Sequence, residues 1–173
     1  MRIGVCVVLA AIGSMLVGAG ANGAGTTPKG GPIRIYVVPG NGQGNGTIVV
    51  VGAIGDYGKT TKQVGDFGKA LLHKGTFKVN LKAITQKMNS GKPTLENLAT
   101  CTFVFSGTAP AAISNGTGAY KGISGTITLT ETFAGYGPFY ATGAHKGKCN
   151  TSNNATPTAS WGSVTGVGTV KYT

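Results

Sequence analysis

From residue 115 to 137 the chain reads NGTGAYKGISGTITLTETFAGYG, and its second half alternates in character. Ile127, Leu129, Glu131 and Phe133 share one parity, with Thr126, Thr128, Thr130 and Thr132 between them. Successive side chains of a strand point to opposite faces, so alternation of this kind with β-branched residues signals a strand. The first half sets Gly116, Gly118, Gly122 and Gly125 around Tyr120, the one large apolar side chain nearby. Glycines so placed predict a turn or bulge needing positive φ or close backbone approach.

The spacing Gly116, Gly118, Tyr120, Gly122, Gly125 resembles a hairpin of the allene oxide cyclase and dirigent-like β-barrels. The run GTGAYKGISGTITLTETFAGYGP is similar to runs in small secreted actinobacterial proteins with no assigned activity. The resemblance implies a barrel fold and an exported compartment. It implies no activity, because no set of positions here matches that family's catalytic residues.

The strand rhythm recurs along the chain. Residues 33–38, ended by Pro39, and the Val-rich residues 47–54 read as strands, joined by a glycine and asparagine loop at 40–46. That loop could cradle phosphate only if a helix followed it, and a strand follows instead. Residues 69–84 carry two further strand signals; Phe77, Val79, Leu81 and Ala83 alternate with Lys78, Asn80 and Lys82, predicting one buried and one wet cationic face. Residues 85–98 are the one polar stretch with helical character, broken by Pro93, so a short helical turn or a long loop is expected. Strands are expected again at 100–107, 109–114, 126–133, 139–143 and 159–172, the last kinked near Gly166 and Gly168. About eight short strands with turn signals roughly every ten residues predict an all-β domain. Glycines inside strands suit the tight bends of a small closed antiparallel barrel; a β-sandwich is the alternative.

Residues 1–21 read as a secretory signal: Arg2, an apolar run over 3–17, and small residues at Ala19 and Ala21 for cleavage near Ala21. The apolar run is short for a membrane span, and no span is expected. Residues 22–32 read as a flexible lead-in and residues 33–173 as a single barrel domain. Without the signal the chain holds Cys101 and Cys149 alone, a pair that in an exported protein reads as a disulfide. A catalytic thiol at Cys149, four residues from His145, is the alternative.

Fifteen Lys and Arg face four acids, for a net charge of +11. Such a field favours anionic partners, an envelope polymer among them, although spread lysines also serve to keep a glycine-rich β-protein soluble. Lys supplies nearly all the cations, so nucleic-acid binding is not expected. Candidates for acid–base chemistry are Asp56, Asp66, Glu96, Glu131, His73 and His145. Asp56 and Asp66 begin an internal echo, GDYG and GDFG, and read as turn starts with the aromatic packed down. Glu131 shares the parity of Ile127 and Leu129: inside a barrel it becomes an acid or base with a raised pKa, while a slipped register leaves it on the surface beside lysine, the simpler reading. Tyr36, Tyr57, Tyr120, Tyr136, Tyr140 and Trp161 are candidates to line a cavity for a small hydrophobic ligand, or else to fill the core. The sequence has no Ser-His-Asp order, HExxH or Cys/His metal spacing, so neither a metal nor another cofactor is expected.

Overall fold

Alternation dominates the architecture of the computed structural model, which describes residues 29–40, 46–152 and 154–173. The signal reading, Cys6, residues 22–28 of the lead-in and the loop residues 41–45 lie outside the described residues. Among the described residues nine strands and one helix follow in chain order: β1 (Lys29–Val38), β2 (Thr47–Gly52), β3 (Asp56–Thr60), β4 (Phe67–Leu72), β5 (Gly75–Asn80), α1 (Lys82–Ser90), β6 (Leu95–Asn97), β7 (Thr102–Gly118), β8 (Ser124–Tyr136) and β9 (Ala159–Tyr172). The sheet runs β5-β4-β3-β2-β1-β9-β8-β7 and closes on itself where β7 pairs with β5, with β6 added on β7. Every pairing is antiparallel. The result is a closed eight-stranded barrel plus one extra strand.

One parity of each strand fills the interior. Ile33 and Ile35, Ile48 and Val50, Phe77 and Val79, Ile113, Ile127 and Leu129 are buried, and the residues between them face out. Each such side chain contributes roughly 1.5–3 kcal/mol on burial, so the period of two drives closure. Arg34, Lys69 and Lys78 take the outward positions, as alternation predicts.

Several boundaries differ from expectation. β1 begins at Lys29 and not at Ile33, because Lys29 to Pro32 pair with Tyr172 to Thr169 of β9, so the end of the expected lead-in is strand. Residues 100–107 and 109–114 belong largely to one 17-residue strand, β7, which passes through Pro110. Pro110 is tolerated because β6 pairs with β7 at 102–104 and β5 at 113–118, so no strand lies along that edge between them. The strand expected to run on to residue 84 stops at Asn80, whose Oδ1 accepts from the Lys82 N–H at 3.0 Å and turns the chain into α1. Leu81, Ile84 and Met88 have helical spacing and pack on the core, a pattern that overlaps the two-residue alternation of 77–83. Residues 139–143 form no strand; Phe139 makes a single bridge to Cys149. β9 spans the expected 159–172.

The echo GDYG and GDFG is not a structural repeat. Asp56 opens β3 and is buried, whereas Asp66 sits exposed in the β3–β4 turn. Their aromatics are not packed down: Tyr57 and Phe67 both face outward.

Candidate functional site

The two barrel ends are built differently. At one end the glycine-rich turn between β7 and β8 folds Tyr120 beneath the barrel, where it is fully buried. A side chain on Gly116 would place its Cβ 1.8 Å from the Tyr120 carbonyl oxygen, and Gly118 has φ +61, so this turn requires glycine at both positions. The Tyr120 hydroxyl donates to Asp56 Oδ2 at 2.5 Å, and Asp56 also accepts from the N–H groups of Tyr57 (2.8 Å) and Lys74 (2.9 Å). Burial alone would push the Asp56 carboxyl up. The Tyr120 hydroxyl, the Lys74 and Tyr57 N–H groups and the Lys74 charge outweigh it and hold the group at about 2. Burial first, and then the carboxylate it binds, push the Tyr120 hydroxyl well above the usual tyrosine range. Tyr172 closes the same end, its hydroxyl donating to the Ala53 carbonyl at 2.8 Å.

The opposite end is open. There the inner faces of the strands end in Val37, Ile48, Thr60, Ala70, Val79, Leu129, Glu131 and Val164, which surround a cavity of about 460 Å³. Its wall is mainly aliphatic, with Thr60, Thr61, Lys62, Gln63 and Lys69 as further polar members. Close to this rim, α1 lies against the stretch of β7 that has no strand partner. Gly107 admits it: a Cβ there would meet Met88 Sδ at 3.0 Å and Lys87 Cγ at 3.1 Å.

Glu131 stands out within this wall. It sits between Gly107 of β7 and Val164 of β9, on the parity of Ile127 and Leu129, so it faces the cavity. The surface reading beside a lysine is therefore corrected: the register does not slip, and no Lys or Arg among the described residues pairs with the carboxylate. Burial pushes the carboxyl above the ordinary glutamate range. A half-buried carboxyl in an aliphatic wall can accept a proton, or hold a polar group of a bound molecule.

The expected aromatic lining is not there. Tyr36, Tyr136 and Trp161 occupy the outward parity of β1, β8 and β9 and are exposed, while Tyr57 faces out from β3. Tyr140 lies in the loop after β8, its ring 5.6 Å from that of His145. Tyr120 is in the floor, walled off from the mouth by Phe77 and the other core side chains. None of them lines the mouth.

Among the other candidates, Asp56 and His73 come together, Nδ1 lying 3.7 Å from Oδ1, at the closed end. Asp66, Glu96 and His145 stand apart from both. Cys101 and Cys149 are joined in a disulfide, so among the described residues no free thiol lies near His145. Among the described residues there is no group of three or more His, Cys, Asp or Glu able to hold a metal ion, and no helix long and apolar enough to cross a membrane. The aliphatic lining residues had no motif to announce them; strand parity was their one signal. The Asp56–Tyr120 contact spans 64 positions and had none.

No family model, curated protein or solved structure matches this chain.

Proposed function

We propose that the protein is an exported binding protein that holds a small, mainly aliphatic molecule in the mouth of its barrel. The observation that carries this reading is the cavity of about 460 Å³ with mainly aliphatic walls, polar residues from Thr60 to Gln63 on one side and Glu131 as the carboxyl of its inner face. The volume falls within the range of roughly 300–1,000 Å³ usual for small-ligand sites. An apolar ligand gains by leaving water, and Glu131 fixes its orientation through one hydroxyl or amine. The disulfide suits an oxidising compartment, which supports export; kinship with allene oxide cyclase and dirigent-like barrels is proposed on the glycine spacing of residues 116–125 and the barrel fold.

The raised pKa of Glu131 favours a second reading, a cyclase- or isomerase-like enzyme in which this carboxyl moves a proton on an apolar substrate. The tyrosines that would assist it point elsewhere, and binding is the reading that needs no partner group. Adhesion to an anionic envelope polymer through the lysine-rich exterior draws on the net charge alone.

Titration with the apolar fluorophore 1-aminoanthracene tests the proposal. Wild type is expected to bind it and to release it to medium-chain alcohols, and Val164→Trp, which fills the mouth from its rim, is expected to abolish binding. Fluorophore binding that survives Val164→Trp would refute the assignment to the mouth.

A further inference from the structure

A second cavity lies outside the barrel. β7 and β8 continue past the level at which β5 stops pairing, and their inner faces form a ledge carrying Phe103, Phe105 and Phe133. The Phe103 ring lies 5.7 Å from that of Phe105 and 6.0 Å from that of Phe133, and all three are half-buried. One wall follows α1 and includes Lys92 and Glu96. It is tied to β7 by β6 and by Thr94, whose N–H and hydroxyl both donate to the Val104 carbonyl at 2.7 and 3.0 Å. The other wall is the strand-free chain after Cys149, pinned by the disulfide and by the Asn150 N–H donating to the Pro138 carbonyl at 2.9 Å. Together they enclose about 490 Å³.

Its apolar surface is aromatic where that of the mouth is aliphatic. An aromatic floor is ringed by an ammonium, a carboxylate, an amide and the Ser152 hydroxyl. A purely aliphatic guest would strand those polar groups away from water, at roughly 1–3 kcal/mol for each one left unpaired. A multiply charged anion would meet Glu96. A sugar ring satisfies both parts: its C–H face lies on the electron-rich faces of the rings, and its hydroxyls at the edge both donate and accept.

We propose that this second cavity binds a neutral saccharide, one pyranose ring stacked on the phenylalanine ledge with its hydroxyls held by Glu96, Lys92 and Asn150. The disulfide is part of the site, because reduction removes the covalent tie of the wall that carries Asn150 and leaves it held by backbone hydrogen bonds alone.

Saturation-transfer NMR and titration with cellobiose and with N,N′-diacetylchitobiose test this on the full chain. At least one of these sugars is expected to bind with a dissociation constant on the order of 1 mM, strongest transfer coming from its ring C–H protons. Phe133→Ala and Glu96→Gln should each weaken binding by about tenfold or more, the loss of one good contact. Reduction should abolish binding, and Glu131→Gln should leave it unchanged. Glu96 is exposed, so its variant keeps the test valid even if Phe133→Ala fails to fold. No transfer to either sugar overturns the proposal, as does binding that withstands both Glu96→Gln and reduction.

Discussion

Replacing Tyr120 with Phe removes one hydroxyl from the floor of the barrel and keeps the ring. The Phe77 and Tyr172 rings, at 6.2 and 6.0 Å, still have a partner, but Asp56 loses its side-chain donor in a site where it is only 7 % exposed. A hydrogen bond to a charged group is worth about 1.5–3 kcal/mol, so the variant should lose about 2 kcal/mol at pH 7. The loss should depend on pH. In the folded protein the Asp56 carboxyl titrates at about 2 against an ordinary 3.8, so the native state binds this proton less readily than the unfolded chain. The stabilisation this provides is fully present above the unfolded value and fades as pH falls through 3.8 towards 2. At about 1.4 kcal/mol per pH unit the whole shift is worth about 2.5 kcal/mol, the net of burial and all the donors to Asp56. Urea unfolding of wild type and Tyr120→Phe at pH 7, 4 and 2 should therefore show a gap nearly as large at pH 4 as at pH 7 and much smaller at pH 2. A gap of equal size at pH 7 and pH 2 would refute the argument, because it would mean that the hydroxyl does not act through the ionised carboxylate.

Three further outcomes follow from the geometry. Glu131→Gln should raise the melting temperature at pH 7 and leave it nearly unchanged at pH 4. Its folded pKa is raised, so the ionised form destabilises the native state as pH climbs above the ordinary glutamate value, and thermal scans at the two pH values check the sign. Removing the disulfide by Cys101→Ser with Cys149→Ser, which opens a loop with a sequence separation of 48, should cost about 4 kcal/mol in the chain-entropy model, read from the urea midpoint. Gly116→Ala should destabilise far more than Gly162→Ala, measured side by side. Its Cβ would sit 1.8 Å from backbone oxygen, whereas the nearest atom at Gly162 lies at an ordinary 3.6 Å.

Much of the barrel was legible because alternation is a local signal. The parity of Ile127, Leu129 and Glu131 offered the inward position that the carboxyl takes, although a surface position was the simpler reading, and the limits of β9 could be read directly. The same parity rule, applied to Tyr36, Tyr136 and Trp161, would have turned them outward; reading aromatics as lining neglected their position on the strand. α1 was harder, since Leu81, Ile84 and Met88 fit a helix while Phe77 to Ala83 fit a strand, and the choice rests on the tertiary gap beside β7. The strands expected at 100–107 and 109–114 proved to be one, with Pro110 inside it tolerated at an edge left unpaired by strands remote in sequence. Asp56 looked like a turn residue because its true partner, Tyr120, comes from another part of the chain.

The most direct test of the mouth as a binding site is amide-resolved NMR during titration with 1-decanol. Binding there predicts shifts concentrated at Val37, Ile48, Ala70, Leu129, Glu131 and Val164, with Phe103 and Phe105 unmoved. Shifts confined to the phenylalanine ledge, or none at either place, would contradict it.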